Sequence, residues 1–293
     1  MAFWWQDGWA GAKMPGLDPA LWTRYIEYAG SERITGQRAF DFCRLGSWGS
    51  HRCGSYFTGD LIPYWSTLDL LIPYGVQAGN MLLPYLATTR GGVFQETIDS
   101  EIYLRWMHFD SLNPILWWHG HWGLRFPWEY GDRSLDICRT FLQLHYRLLP
   151  YIYTYSRLAH DRALPLVRGT YLEYPDQKPV YTYRHQYMFG QELLVAPISE
   201  PRFGKPVLKD VHLPAGENWF DYFTGKIHQG GEVVPYECPL DRMSLFVRAG
   251  SIIPMAPDMD YADQRPIDPL ILDVYAGKPA SFRLYEDDGV SLN

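Results

Sequence analysis

The chain has 293 residues, of which 47% are hydrophobic, and this is enough to bury a sizeable core in one large domain or two ordinary ones. Only 20% of the residues are charged and the formal net charge is −7, which argues against a nucleic acid as partner, because a phosphate backbone calls for clustered Lys and Arg. No apolar run reaches the roughly 18 residues of a membrane-spanning helix, so no membrane partner is expected.

Residues 1 to about 175 alternate short apolar runs with helical stretches, which is the signature of βα units. The pattern predicts strands at Ala2–Gln6, Arg38–Phe42 and Leu82–Thr89, and helices at Asp18–Tyr28 and within Trp65–Met81. This part of the chain is therefore predicted to be an α/β domain with a parallel sheet.

The strongest helical pattern covers Ser134–Asp161, where apolar residues recur at spacings of three and four. Ser134 is a candidate N-cap, since its hydroxyl can accept a hydrogen bond from a free backbone N–H of the first turn. Pro150 is expected to end or kink this helix in its middle, because proline lacks the N–H that the helical ladder uses.

The sequence pattern changes after Pro175, where short runs of alternating apolar and polar residues are separated by Gly, Pro, Asn and Asp. Such runs are Glu192–Ile198, Val207–Leu213 and Leu245–Ile253, and they are typical of an antiparallel β-domain. The sequence thus predicts an α/β part at residues 1–175, a β-sandwich at residues 176–256, and the start of a further β-domain at residues 257–293. Both ends run straight into strand-like segments, so the chain is expected to be a fragment that is unstable or inactive alone.

Composition also bears on ligands. The chain contains 12 Trp, 22 Tyr and 14 Phe, and aromatic rings pack well on the C–H faces of sugars, although they also fill protein cores. The cysteines show neither CxxC nor CxH spacing, so we expect no metal site and no disulfide framework. They stand at Cys43, Cys53, Cys138 and Cys238.

Two aspartates are candidates for acid–base chemistry. Asp7 lies at the end of the first predicted strand, and the carboxyl ends of parallel barrel strands face the catalytic mouth. Asp60 lies in a glycine-containing loop among aromatic residues, where poor solvation would raise a carboxyl pKa towards the range of a general acid. A solvated loop position or a helix cap is the alternative for each aspartate.

Six short motifs resemble, in order along the chain, those of glycoside hydrolase family 31. The segment Trp5–Asp7 (WQD) is similar to the nucleophile motif W-x-D-M-x-E, and Arg52–Trp65 (RCGSYFTGDLIPYW) to the acid/base motif R-x-A-G-H-W-x-G-D-x-x-x-x-W. Pro114–His119 (PILWWH) is similar to P-F-x-R-x-H. The remaining matches are His145–Tyr153 (HYRLLPYIY), Gly190–Pro197 (GQELLVAP) and Arg248–Pro254 (RAGSIIP).

The resemblance implies a fold and a mechanism. The fold is the C-terminal part of a (β/α)8 TIM barrel followed by antiparallel β-sandwich domains. The mechanism is that of a retaining α-glycosidase without a cofactor, in which Asp7 is the nucleophile and Asp60 the acid/base. Arg52 and His119 would hydrogen-bond sugar hydroxyls, and the rings that line the subsite are those of Trp5, Trp9 and Phe57.

Three departures from the family motifs bear on the substrate. The Met and Glu of the nucleophile motif are Gly8 and Ala10, Arg90 stands where the motif G-A-D-x-G-G-F has its Asp, and Trp117 replaces the Arg before His119. Loss of an Asp and an Arg together removes both halves of an ion pair, whereas loss of one would leave a buried charge unpaired.

These changes lead to a hypothesis on specificity. We expect a substrate with a bulkier group at C2, such as an α-N-acetylgalactosaminide, a substrate used by one branch of the family. An α-glucosidase or α-galactosidase with a repacked wall is the alternative, and so is transfer to a sugar acceptor or an α-glycan lyase. A non-catalytic carbohydrate-binding protein is the alternative from another class. The cellular compartment stays open.

Overall fold

The computed structural model describes residues 4–7, 15–44, 49–202 and 207–292. Its first part contains a parallel sheet of four strands in the order β1-β2-β3-β4. The strands are β1 (Trp4–Gln6), β2 (Asp41–Cys43), β3 (Ser55–Phe57) and β4 (Leu86–Ala87). Beyond β4, Arg90 forms one parallel bridge with Trp118, so the chain after β4 extends the sheet.

The helices that connect these strands pack on one face of the sheet, and further helices follow along the chain. The helices are α1 (Pro19–Thr35), α2 (Trp65–Asn80), α3 (Ser100–Ser111), α4 (Asp132–Arg147), α5 (Leu149–Arg162) and the short α6 (Thr170–Glu173). Helix α1 joins β1 to β2, and α2 joins β3 to β4, so both pairs are βα units as predicted. Tyr56 and Leu86 pack against Ala78 of α2 and form part of the layer between sheet and helices.

The helix predicted at Ser134–Asp161 is in fact two helices, which meet at Leu148. Pro150 is the second residue of α5, where its missing N–H has no partner to lose. Ser134 does not cap α4, because α4 already begins at Asp132 and Ser134 is buried inside it.

Helix α3 was not predicted from the sequence pattern. All residues from Ile102 to Ser111 are buried, including the polar Arg105, His108 and Asp110. A helix that is buried all round shows no apolar stripe, and buried charges interrupt what stripe remains. Asp99 caps the helix, since its carboxylate accepts hydrogen bonds from the backbone N–H groups of Glu101 and Ile102.

The second part of the chain is antiparallel. Its strands are β5 (Val167–Arg168), β6 (Tyr187–Phe189), β7 (Leu193–Ala196), β8 (Val207–His212), β9 (Trp219–Asp221), β10 (Ile227–His228), β11 (Val233–Cys238), β12 (Ser244–Arg248), β13 (Ile252–Met255) and β14 (Ile271–Val274). Six of them form a sheet in the order β10-β9-β12-β7-β6-β5, while β8 pairs with β11 and β13 with β14. The run predicted at Leu245–Ile253 is divided by a turn at Gly250, whose φ is 84°.

The pair β8–β11 packs over the six-stranded sheet as the second layer of a sandwich. Along β11, Val234, Tyr236 and Cys238 are buried, while the residues between them are exposed. This period of two places one face of the strand against the sheet, where Leu194 and Phe246 belong to the same core. The prediction of a partial barrel followed by an antiparallel sandwich is confirmed.

The sandwich core and its surface make a matched comparison. Leu194 on β7 is fully buried, whereas Leu208 on β8 is 65% exposed. We expect Leu194→Ala to lower the free energy of unfolding by about 2–5 kcal/mol, because it leaves a cavity in a packed core. Urea unfolding followed by circular dichroism measures the change. Leu208→Ala is the control, and an equal loss in both variants would contradict this assignment of the core.

Candidate functional site

Alternation along the parallel strands creates an aromatic layer on the sheet face that points away from the helices, here called the inner face. Trp5, Phe42, Phe57, Ala87 and Trp117 lie on this face. Trp5 pairs with Phe42 and Phe57 with Ala87, whereas the partner of Phe42 in β3 is Ser55, two residues before Phe57. The aromatic rings contact one another, with centroid distances of 4.5 Å for Phe57–Trp117, 5.1 Å for Phe42–Phe57 and 6.2 Å for Trp5–Trp117. The aromatic layer is therefore one packed cluster.

A second layer follows two residues further along each strand, on the same inner face. It contains Asp7, Arg44, Gly59, Thr89 and His119. Because parallel strands end at the same edge of the sheet, this polar layer lies at their carboxyl ends. In a barrel that edge is the catalytic mouth, so the sheet geometry brings the candidate residues to the expected place.

Arg44 joins the two candidate carboxylates. Its Nη1 lies 3.1 Å from Oδ1 of Asp7, and its Nη2 lies 2.8 Å from Oδ2 of Asp60. One planar guanidinium thus contacts both carboxylates through neighbouring nitrogens. The predicted pair is brought together, although no motif pointed to the arginine between them.

The space for Arg44 exists because residue 59 is a glycine. Gly59 has a φ of 78°, a backbone conformation that favours glycine, and a Cβ there would lie 2.8 Å from Nε of Arg44. Thr89 closes the same corner, since its Oγ1 donates a hydrogen bond of 2.6 Å to the carbonyl of Gly59. Asp60 is 28% exposed beside Arg44, so its solvation is better than the aromatic surroundings in the sequence suggested.

His119 stands above the aromatic layer. Its ring stacks on Trp117 with a centroid distance of 4.8 Å and an angle of 12°, and it meets Trp5 edge-on at 5.7 Å. A cleft of about 300 Å³ opens here, lined by Trp5, Phe40, Phe42, Ile115, Leu116, Trp117 and His119. His119 is the one polar side chain among these lining residues, and Asp7, Arg44 and Asp60 are not among them. Aromatic rings of this kind suit the C–H faces of a sugar.

Arg90 does not face the cleft. Its side chain is fully buried on the helix side of the sheet, where Nε lies 3.1 Å from Oδ2 of Asp110. Burial raises the pKa of Asp110 to about 6, although the charge of Arg90 opposes this rise. Aligning both glycines of the motif G-A-D-x-G-G-F with Gly91 and Gly92 puts Thr89, which is on the inner face, at the Asp position. The ion pair that we expected to be lost is thus replaced by Thr89 and Trp117.

Two further predicted residues lie elsewhere. Arg52 is exposed in a short 3-10 turn, and it borders a different cavity, which it shares with Leu21, Trp22 and Tyr25 of α1. The structure therefore does not bring Arg52 to the carboxylates, and the arginine that contacts them is Arg44. Trp9, like Gly8 and Ala10, lies outside the described residues.

A buried ion pair supports β2 from behind. Nε of Arg24 on α1 lies 2.8 Å from Oδ2 of Asp41, and its Nη2 donates a hydrogen bond of 3.1 Å to the carbonyl of Ser55. The guanidinium also lies over the ring of Tyr56 at 4.0 Å. One side chain therefore ties α1 to both β2 and β3, the strands that lead into Arg44 and Asp60.

Cys43, beside Arg44, is not a candidate nucleophile. Burial raises the pKa of its thiol to about 12, so the reactive thiolate is not formed near neutral pH. Among the described residues, no group of three or more His, Cys, Asp and Glu is placed to hold a metal ion. In the same ranges, no helix has both the length and the apolar character needed to cross a membrane.

Comparison with known proteins follows the same division of the chain. Residues 3–155 match the glycosyl hydrolases family 31 TIM-barrel domain, and residues 163–253 match the glycosyl hydrolase family 31 C-terminal domain. The alpha-xylosidase of Saccharolobus solfataricus is 31% identical over 278 residues, which cover 93% of this chain and 38% of that protein. Alpha-glucosidase 2 of Bacillus thermoamyloliquefaciens is 29% identical over 271 residues, covering 91% and 34%.

Solved structures give the same result. A dextranase of this family from Flavobacterium johnsoniae, complexed with isomaltotriose, superposes with a TM-score of 0.86 at 32% identity, covering 92% of this chain and 35% of that one. The alpha-xylosidase of Xanthomonas citri gives a TM-score of 0.87 at 32% identity, covering 93% and 31%. The chain therefore belongs to glycoside hydrolase family 31 and spans between 31% and 38% of the length of these four proteins.

The ion pair behind β2 can be tested by stability. We expect Arg24→Met to lower the free energy of unfolding by about 3–5 kcal/mol, because it leaves the carboxylate of Asp41 buried without its counter-charge. Arg139→Met is the control, since Arg139 pairs with Asp136 on the surface and is 55% exposed. Exposed pairs contribute little to stability. Urea unfolding of both variants gives the comparison, and similar losses would show that Arg24 does not support the sheet.

Proposed function

We propose that this family 31 member cleaves a terminal α-linked sugar with retention of configuration, with Asp7 as nucleophile and Asp60 as acid/base. The observation that carries the proposal is the contact of one guanidinium, that of Arg44, with both carboxylates. A retaining enzyme needs its two carboxyl groups about 5–5.5 Å apart, whereas an inverting enzyme needs a wider gap for water. Neighbouring nitrogens of one guanidinium favour the closer arrangement.

The positions of the carboxylates support their separate roles. Asp7 stands two residues after Trp5 on the inner face of the sheet, at the carboxyl end of β1, where it pairs with Arg44. Asp60 follows Gly59 in the loop that leads to α2, so it lies one residue beyond the polar layer of the inner face. An acid placed towards the open side can reach the oxygen of the departing group and later activate the water that replaces it.

The polar groups at the rim would orient the sugar. His119 is fixed by ring contacts with Trp5 and Trp117, so its nitrogens are carried at the rim of the aromatic floor. Arg44 offers N–H donors between the carboxylates. Hydrogen bonds from such fixed donors hold the anomeric carbon in line with the nucleophile, which is a large part of what a glycosidase must provide.

The preferred sugar is proposed to be of the gluco or xylo type. The relatives described above are named as an alpha-xylosidase, an alpha-glucosidase and a dextranase, and none of them as an N-acetylgalactosaminidase. Arg90 faces away from the cleft, so the argument for a bulky group at C2 retains only the changes at Thr89 and Trp117. An α-N-acetylgalactosaminide and an α-galactoside remain as the alternatives that the experiment must include.

The decisive experiment is a panel of aryl α-glycosides given to the full-length protein. We expect release from the α-glucoside or α-xyloside, and a loss of at least about a thousandfold in Asp7→Asn, because no covalent intermediate can form. Asp60→Asn should lose less on a dinitrophenyl glycoside than on a phenyl glycoside, since a good leaving group needs no proton. Proton NMR of the first product measures retention.

Three outcomes would change the proposal. Release from the α-N-acetylgalactosaminide alone would show that the enzyme prefers a sugar with a bulky group at C2, and it would contradict the proposed preference for gluco or xylo sugars. Inversion of the product would show that Asp7 does not act as a nucleophile. Release from no member of the panel, together with binding of the sugars, would indicate a carbohydrate-binding protein on this scaffold.

The site for Arg44 gives a further prediction. We expect Gly59→Ala to lower kcat/KM by about a hundredfold, because the added methyl group displaces the guanidinium between the carboxylates. Gly225→Ala is the matched control, since Gly225 has a φ of 69° but a Cβ there would meet no atom of the described residues within 4 Å. Both variants strain the backbone, and only the first touches the site. Equal kcat/KM values for the two variants would show that the position of Arg44 does not affect catalysis.

A further inference from the structure

Arg90 is an unusual residue in the first part of the chain. It is fully buried, yet only its Nε has a charged partner, Asp110. Its Nη1 and Nη2 have no hydrogen-bond partner in the part of the chain that the structure describes. A buried guanidinium with incomplete pairing is costly, so its presence calls for a compensating contact.

Trp118 supplies that contact. The Cζ of Arg90 lies 4.0 Å from the centroid of the indole ring, and the attraction of a cation to an aromatic face is strongest where water is excluded. The edge of the indole has a partner as well, because its Nε1 donates a hydrogen bond of 3.4 Å to the hydroxyl of Tyr103. That hydroxyl donates a hydrogen bond of 2.6 Å to the carbonyl of Arg125.

The guanidinium itself is held in one orientation. Asp110 accepts from Nε of Arg90, and its other oxygen accepts hydrogen bonds from the hydroxyl of Thr88 and, at 3.4 Å, from the amide of Asn113. Trp106 donates to the same threonine at 2.9 Å. The plane on which Trp118 rests is therefore fixed by a buried network rather than by Arg90 alone.

The backbones of the segments around Arg90 and Trp118 meet at few points, and the next hydrogen bonds after the bridge run from the N–H groups of His121 and Trp122 to the carbonyl of Val93, at 3.2 and 3.4 Å. Within the described ranges, the bridge between Arg90 and Trp118 is an isolated one, whereas β1 and β2 pair through three residues. Trp118 points to the helix side, and its neighbours Trp117 and His119 point to the cleft. A shift of Trp118 would therefore move both neighbours, because they share its short stretch of backbone.

We propose that Arg90 is a positioning residue, which stacks on Trp118 behind the sheet and thereby holds Trp117 and His119 at the sugar-binding face. The inference rests on the proposed function as far as catalysis is concerned. It differs from a role for Arg90 in the pocket wall, since the side chain acts from the opposite face of the sheet and never touches the sugar. It also explains why the guanidinium of Arg90 is buried although only one of its nitrogens pairs with Asp110.

A double-mutant cycle with His119 tests the proposal in the full-length protein. We expect Arg90→Met to lower kcat/KM for the preferred aryl α-glycoside by about tenfold to a hundredfold, because the hydroxyl contact of His119 is misplaced. In the His119→Ala background the same change should have a clearly smaller effect, since the contact of His119 is already absent and only the displacement of Trp117 remains. Fold-changes that are equal in the two backgrounds would overturn the proposal.

Arg105→Met is the matched control. Arg105 is equally buried, and it donates hydrogen bonds to the carbonyls of Cys238 and Pro239 in the β-domain. Its loss should reduce stability as much as the loss of Arg90, but its effect on kcat/KM should be the same with and without His119. Should Arg90→Met fail to fold, Arg90→Lys replaces it in the cycle, because lysine keeps the charge beside Asp110 and loses the planar stack.

A second measurement does not depend on activity. The Cε1–H signal of His119, assigned with isotope-labelled histidine and the His119→Ala variant, reports the ring current of Trp117. We expect Arg90→Met, or Arg90→Lys in its place, to shift this signal, and Arg105→Met to leave it unchanged. An unmoved signal would overturn the positioning role even in an active enzyme. A shifted signal in a protein that releases no sugar would instead retain the positioning role and reject the proposed function.

Discussion

Two carboxylates that share one small space repel each other, and Arg44 offsets this repulsion by contacting Asp7 through one nitrogen and Asp60 through the next. Much of the surrounding structure serves this contact. Parallel pairing of β1, β2 and β3 brings the three chain segments to one edge of the sheet. Gly59 leaves the volume that the guanidinium occupies. Behind the sheet, Arg24 and Asp41 form the buried ion pair that ties α1 to the strand leading into Arg44.

The two layers on the inner face differ in character, since one is aromatic and packed and the other is polar and charged. The lower layer is aromatic, while the upper layer carries the charges and His119. Charges that stand on an apolar floor interact more strongly than charges surrounded by water. The helix side of the sheet shows the opposite arrangement, with the buried pairs of Arg24 with Asp41 and Arg90 with Asp110. Polar residues thus occur on both faces, as the candidate catalytic groups on the inner face and as buried ion pairs on the helix side.

The sequence motifs predicted the family and the order of barrel and sandwich, and they pointed to the two aspartates that the structure brings together on Arg44. They failed where the direction of a side chain decided the outcome. Counting motif letters placed Arg90 in the pocket, whereas the alternation of the strand places Thr89 there. Arg44 was missed because it is a lone arginine after a three-residue strand, and only its spacing of two from Phe42 shows the face on which it lies. Helix α3 was missed because burial on all sides leaves no stripe.

Thr89 and Trp117 stand where the family motifs have an Asp and an Arg. This exchange changes how the inner face beside His119 can select a sugar. The hydroxyl of Thr89 is already used by the carbonyl of Gly59, and Trp117 presents mainly carbon to the cleft. Sites that hydrogen-bond a substrate group can reject an analogue without it by about 10⁴-fold or more, while apolar walls distinguish a single methylene group by roughly 10–200-fold. Under the proposed function, this part of the site would therefore discriminate sugars by shape. Recognition of hydroxyl groups would then fall to His119, Arg44 and the two carboxylates, the polar side chains at the carboxyl ends of the strands.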